Sequence, residues 1–303
     1  MKEKIFISAI KEVLNSKYIG DDCAYLPDLG IVVTQDSLVE DVHFSRKFMT
    51  AYQLGYKSVM VNISDISASG AEMKYLTIAL SLPSDIDDNF VKEFYKGAKK
   101  ACGSGVEIVG GDITGADRIM ISVCAIGKTQ GRKISSRKNA KIGYKVVVCG
   151  NHGSSSAGLY CLLNNLEGCE NFKKAHLKPK AQVEFGEIIG KSVKENYAMM
   201  DTSDGLMDAL SQIANESEVL LSVDFDKIPH DKNIEKFDNW QNYVLFGGED
   251  YGIVSVIPQN YDTFGIKIGE VLAGSGVDLK INNKTVHFTK ADVESKIYNH
   301  FAG

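Results

Sequence analysis

Four apolar stretches in this chain run directly into acidic residues flanked by glycine, serine, threonine or glutamine. Ile31-Val32-Val33-Thr34 leads to Gln35-Asp36, and Val106-Glu107-Ile108-Val109 leads to Gly110-Gly111-Asp112. Ala198-Met199-Met200 leads to Asp201-Thr202-Ser203-Asp204-Gly205, and Tyr243-Val244-Leu245-Phe246 leads to Gly247-Gly248-Glu249-Asp250-Tyr251. Short apolar or β-branched runs closed by such residues predict buried strands. Ligands of α/β sheets sit just beyond the carboxyl ends of strands. Carboxylates gathered there repel one another unless a cation lies between them. Hard oxygen donors of this kind suit Mg²⁺ that also holds substrate phosphates.

Other segments add to the set. Gly20-Asp21-Asp22 precedes a hydrophobic turn, and Thr34-x-Asp36 is followed by Glu40, Asp41 and His43. Asp65 sits in Asn62-Ile63-Ser64-Asp65-Ile66-Ser67-Ala68, a small and apolar segment where a carboxylate calls for a partner. Each motif has a plain reading: Asp-Gly clusters make turns, paired glycines make tight bends, and Asp or Ser caps helices. Asp201 and Asp204, three residues apart, exceed what a cap requires. Five or six acid-bearing loops in one chain favour a shared cation site over coincidence. There is no G-x-x-x-x-G-K-[ST], H-R-D or D-F-G, no H-E-x-x-H or Cys/His zinc spacing, and no G-x-S-x-G. Of six histidines only His43 lies in an acid cluster; His176, His230 and His287 read as surface or structural.

These residues need a scaffold. Phe6, Ala9, Ile10, Val13 and Leu14 at helical spacing predict an opening amphipathic helix. A helix over 51–69 carries Asn62 and Asp65 on one face. A strand over 75–82, a helix over 87–102 and strands over 106–109 and 119–126 follow. The charged, serine- and glycine-rich stretch 129–141 is the best domain boundary, dividing 1–138 from 139–303; its basic cluster reads as a solvated hairpin or linker. A strand over 145–149 leads into a turn that starts a helix. Helices over 181–195 and 205–216 bracket a strand at 198–200, and 219–288 reads as short strands and loops. Both halves are mixed α/β.

At 303 residues, 44% hydrophobic and 24% charged, the chain can bury a core without disulfides or structural metal. A net charge of −5 and the lack of a basic stripe argue against nucleic acid as a partner. No run reads as a membrane span or signal peptide. Six dispersed cysteines without C-x-x-C fit a reducing cytoplasm, with Cys124 and Cys149 read as core.

Taken in order, the segments IGDDCAYL (19–26), TQDSLVEDVHF (34–44), GYKSVMVNISDISASGA (55–71), EIVGGDITG (107–115), GSSSAGL (153–159), MDTSDGL (200–206), FGGEDY (246–251) and YNHF (298–301) resemble the thiamine-monophosphate kinase family of the aminoimidazole-ribonucleotide-synthetase-like superfamily. The resemblance implies ATP-dependent phosphorylation of thiamine monophosphate to thiamine diphosphate. It further implies a homodimer whose N-terminal sheets pair into a barrel across the interface, with a C-terminal α/β domain. Carried over by motif, Asp22, Thr34, Asp36, Asp65, Asp112, Asp201 and Asp204 would hold Mg²⁺. Tyr95, Gly111, Asp112, Arg137 and Ser203 would contact ATP, and His43, Glu249 and Tyr298 would face the thiamine phosphate. Asp36, Asp112, Arg137 and Asp204 would carry the transfer itself. Gln35, Asp41, Ser69, Lys180 and Gln182 depart from the family pattern without removing a ligand. The alternatives are another ATP-using enzyme of the superfamily, such as aminoimidazole ribonucleotide synthetase or selenophosphate synthetase, or a non-catalytic nucleotide or metal sensor.

Overall fold

Alternating apolar residues and a few long helical patterns generate two sheets, one from each half of the sequence. The computed structural model describes residues 2–298. The opening helix, α1 (Lys2–Leu14), is followed by β1 (Ala24–Leu26), β2 (Ile31–Val39), α2 (Ala51–Ser69), β3 (Glu72–Leu82), α3 (Asp88–Cys102), β4 (Glu107–Gly115) and β5 (Met120–Lys128). These strands form a five-stranded sheet in the order β1-β2-β5-β3-β4, antiparallel except for the β3–β4 pair. The second half contributes β6 (Lys145–Cys149), α4 (Ser154–Leu163), α5 (Glu170–Leu177), α6 (Val183–Ser192), β7 (Ala198–Asp201), α7 (Leu206–Glu216) and β8 (Leu220–Asp224). It continues with α8 (Trp240–Phe246), β9 (Ile253–Ile257), β10 (Ile266–Leu272), β11 (Gly276–Ile281), β12 (Lys284–Phe288) and α9 (Lys290–Glu294). Its seven-stranded sheet runs β12-β11-β8-β10-β6-β9-β7.

Helix α2 is the element that joins the halves. It begins at a capping box, in which Thr50 accepts from the Gln53 N–H while the Gln53 side chain accepts from the Thr50 N–H, and it ends at Gly70 in the left-handed conformation. It packs on β2, β3 and β5 from one side and on α6 and β7 from the other. Its buried residues therefore lie all around it, and they include Lys57, Ser58, Asn62 and Ser64. Glycines allow the close packing: a Cβ on Gly55 would stand 1.9 Å from the Phe94 carbonyl oxygen of α3, and one on Gly186 of α6 would stand 2.1 Å from that of Ser67.

Several expectations need correction. Tyr243–Phe246 is not a strand but the last part of α8, which buries Val244 and Leu245; four apolar residues fit either period. The strands at 31 and 106 run on to Val39 and Gly115, so Asp36 and Gly110-Gly111-Asp112 lie within strands instead of beyond them. Arg132 in the basic stretch is not a solvated side chain: it is only 5% exposed and sits beside Glu72. Cys124 and Cys149 are half-buried. Among the described residues no helix is long and apolar enough to cross a membrane.

Candidate active site

A cleft of about 1000 Å³ opens between the carboxylate-bearing segments of the two halves. Of the residues singled out in the sequence, it is lined by Asp36, His43, Asp65, Ser203, Asp204, Glu249 and Tyr298. Strand β2 supplies Asp36, α2 supplies Asp65, the β7–α7 turn supplies Ser203 and Asp204, and the turn after α8 supplies Glu249. Asp22, Thr34 and Asp201 stand immediately behind. Thr34 Oγ1 donates to Asp65 Oδ2 at 2.6 Å, and the Asp36 N–H donates to Asn62 Oδ1 at 3.2 Å. Ser64 Oγ donates to Asp201 Oδ2 at 2.6 Å, and the Ser203 N–H donates to Asp201 Oδ1 at 3.3 Å. Helix α2 thus meets both halves here: Asn62 and Asp65 accept from the Asp36 N–H and the Thr34 hydroxyl of β2, and Ser64 donates to the Asp201 carboxylate of β7.

The electrostatics record how closely these acids crowd. Burial, then Asp22, pushes the Asp36 carboxyl up to about 6. Burial, then Asp22, lifts Asp201 to about 7. Burial followed by Asp36, Asp201 and Asp22 holds Asp65 well above the usual carboxylate range. Burial raises Asp22 as well, although Arg137 donates to it at 2.5 Å. Buried like charges without a counter-ion disfavour ionisation, and a hard divalent cation reverses that. The donor set is all oxygen and fits Mg²⁺ in kind. Among the described residues, however, no three such side chains form a ready-made metal cluster. Arg137 reaches both Asp22 and Gln212, and its own N–H donates to Asp21 Oδ1 at 2.7 Å.

Three residues stand apart from this cleft within one chain. Asp112 and Gly111 lie on the exposed edge strand β4, opposite Ala79 and Ile78 of β3. Tyr95 lies on α3, half-buried and edge-on to Phe94 at 5.5 Å, against the core of the first half. Tyr298 does line the cleft and is 61% exposed; Asn299, His300 and Phe301 of the C-terminal motif lie outside the described residues.

Sequence reasoning missed Lys57 and His176 and gave Asp250, seen as part of an acidic segment, no role of its own. Lys57 Nζ, fully buried, pairs with Glu249 Oε1 at 2.8 Å, and His176 Nδ1 stands 3.3 Å from Glu249 Oε2. His176, read as surface or structural, is buried and lines the cleft. Burial acts to raise the Glu249 carboxyl, yet Lys57 and His176 together hold it below the usual range. Burial and Lys57 push His176 down to about 4, so it is neutral. Asp250 accepts from the N–H groups of Gly153 at 2.5 Å and Ser155 at 2.8 Å, at the start of α4. A lysine in the middle of the apolar run 54–63 was the available signal.

The chain is similar to known proteins over most of its length. Residues 20–129 match the family model of the AIR synthase related protein, N-terminal domain. The chain is 36% identical to a thiamine-monophosphate kinase of Aquifex aeolicus (strain VF5), over 89% of this chain and 92% of that one. It is 33% identical to the thiamine-monophosphate kinase of Bacillus subtilis (strain 168), over 93% of each. The solved structure of AaThiL complexed with AMPPCP and TMP superposes with a TM-score of 0.85 at 35% identity, covering 94% of each chain. Similarity over nearly the full length, in sequence and in fold, makes this chain a member of the thiamine-monophosphate kinase family.

Proposed function

We propose that this protein transfers the γ-phosphoryl group of ATP to thiamine monophosphate, giving thiamine diphosphate and ADP. The observation that carries the reading is the convergence of Asp36, Asp65, Asp204 and Glu249, from four separate elements, on one cleft. The related structure bound to AMPPCP and TMP supports the same pair of substrates.

The acceptor is itself a phosphate with a second pKa near ~6, largely dianionic at neutral pH, so no strong general base is required. The difficulty is bringing two polyanions together in line, and catalysis is positioning with charge neutralisation. Asp22, Thr34, Asp36, Asp65, Asp112, Asp201 and Asp204 would hold Mg²⁺, which would supply charge neutralisation for the phosphates. Arg137, once released from Asp22, supplies a mobile positive charge, and with Tyr95, Gly111 and Ser203 completes the ATP contacts. His43, Glu249 and Tyr298 hold the thiamine moiety. Transfer is direct, and no kinetically competent phosphorylated protein is expected.

Asp112, Gly111 and Tyr95 lie outside the cleft of their own chain, and we infer a homodimer in which the five-stranded sheets pair. An unpaired edge strand with Val109 56% exposed and Ile113 62% exposed supports such pairing. The division into domains 1–138 and 139–303 is supported by sheets built from one half of the sequence each. Incubation with ATP, Mg²⁺ and thiamine monophosphate tests the activity. Thiamine diphosphate formation that Asp36→Asn and Asp112→Asn abolish is the expected result, and ATP hydrolysis without it overturns the reading.

A further inference from the structure

The Lys57–Glu249–His176 cluster has no role in the phosphate chemistry proposed above, yet contacts from α2, α4, α5 and the β7–α7 turn converge on it. Glu249 is held from every side. Its Oε1 meets Lys57 Nζ of α2 at 2.8 Å and its Oε2 meets His176 Nδ1 of α5 at 3.3 Å. His176 Nδ1 is in turn 3.1 Å from Ser155 Oγ of α4. The Glu249 N–H donates to the Ser203 carbonyl at 2.7 Å, and its φ of 64° lies in the left-handed region that glutamate avoids. The next residue, Asp250, is fixed by the two backbone N–H groups at the start of α4. Strain of this kind persists only where surrounding contacts impose it, and it concentrates at sites of function.

The charges decide what such a carboxylate can recognise. The Glu249 carboxylate is already paired with the buried Lys57 at 2.8 Å, so its charge is met inside the protein and has little to offer a cationic ring. A carboxylate has about four acceptor positions, and two face Lys57 and His176. The remainder belong to the part of the side chain, 28% exposed, that reaches the cleft. What it offers is an oriented hydrogen-bond acceptor. On thiamine monophosphate the phosphate end belongs with the acidic cluster, and the thiazolium ring has no N–H or O–H donor. The aminopyrimidine, through its exocyclic amino group, is the organic portion that can donate.

On the functional reading above, we propose that Lys57 and His176 are positioning residues that lock Glu249 as the acceptor for the pyrimidine amino group, and that this lock selects the ring. A site built around a hydrogen bond to a substrate N–H rejects an analogue lacking it, because the acceptor is then left unpaired.

The test compares thiamine monophosphate with its 4-oxo analogue, in which oxygen replaces the amino group, as substrates of the full chain. The wild-type protein is expected to prefer the natural substrate by about a hundredfold or more in kcat/KM. Lys57→Met is expected to raise KM for thiamine monophosphate about tenfold or more, to leave KM for ATP unchanged and to shrink the preference toward unity. Lys57→Arg should restore part of it. His176→Ala, which keeps the buried ion pair, carries the same test if Lys57→Met does not fold. A wild-type protein indifferent to the substitution, or a Lys57→Met variant with its preference intact, overturns the inference while leaving the kinase reading standing. A parallel rise in KM for ATP does the same by reducing Lys57 to a structural role. Wild-type protein that makes no thiamine diphosphate removes both.

Discussion

Replacing Asp36 by asparagine should make the metal-free protein more stable at pH 8 while destroying its activity. The Asp36 carboxyl is pushed by burial and by Asp22 from 3.8 to about 6. A shift of one unit corresponds to ~1.4 kcal/mol, so ionising Asp36 in the folded protein costs about 3 kcal/mol at most. Asp36 is half-buried and shares its shift with neighbouring carboxylates, which brings the usable figure to ~1–3 kcal/mol. The sign follows from linkage. Because the folded-state value lies above the unfolded one, the favourable contribution is complete below about pH 4 and lost as pH rises through 6. The asparagine of the variant cannot ionise, so the gap between variant and wild type opens over that window. At roughly 2–4 °C per kcal/mol, the chelated variant should melt about 2–12 °C above chelated wild type at pH 8, and level with it near pH 4.

Thermal unfolding of both proteins in a chelator, from pH 4 to pH 8, reads this difference and cancels the titrating groups that do not interact with Asp36. Adding Mg²⁺ at pH 8 should then raise the wild type by more than the variant, because the substitution has already removed part of the repulsion that the cation relieves. A difference that is constant with pH, or a variant that melts below wild type throughout, would show that Asp36 is not under electrostatic stress and would refute the crowding argument.

Other substitutions probe the frame. Glu249→Gln leaves Lys57 buried without its counter-charge and should cost ~3–5 kcal/mol in a urea titration, most of it recovered by adding Lys57→Met. Gly55→Ala or Gly97→Ala would set a Cβ 1.9 Å from a facing carbonyl oxygen and force α2 from α3, destabilising the fold by roughly 1–3 kcal/mol or more, read as a lower urea midpoint. His152 is fully buried, with no hydrogen-bond partner for either ring nitrogen among the described residues, and burial pushes it down to about 4. Its neutral form supports the fold above pH 6.5 and that support is lost as pH falls through 4, so His152→Leu should be as stable as wild type or about 1 kcal/mol more stable at pH 7, and should unfold less readily in acid.

What the sequence disclosed and what it withheld divide along physical lines. Helix α2 was legible because a long run of mostly small and apolar residues ends at a glycine, and Asp65 was legible because a carboxylate in such a helix demands a partner. The acidic loops were legible as chemistry, since like charges brought close need a cation whatever the fold. The extent of β2 and β4 was not, because Gly110-Gly111 and Thr34-Gln35 look like punctuation and only pairing with β3 and β5 carries the strands through them. Tyr243–Phe246 is four apolar residues, too few for a period, and burial of Val244 and Leu245 in α8 decides its form. The roles of Lys57 and His176 were hidden for a further reason, even though a lysine within an apolar helix was a signal in itself. A lysine and a histidine carry meaning only beside the residues they meet, and Glu249 lies 192 and 73 positions away along the chain. Such pairs are what folding adds to a motif: the sequence supplies the carboxylate, and the packing of α2 and α5 against its turn sets where its oxygens point and what they can accept.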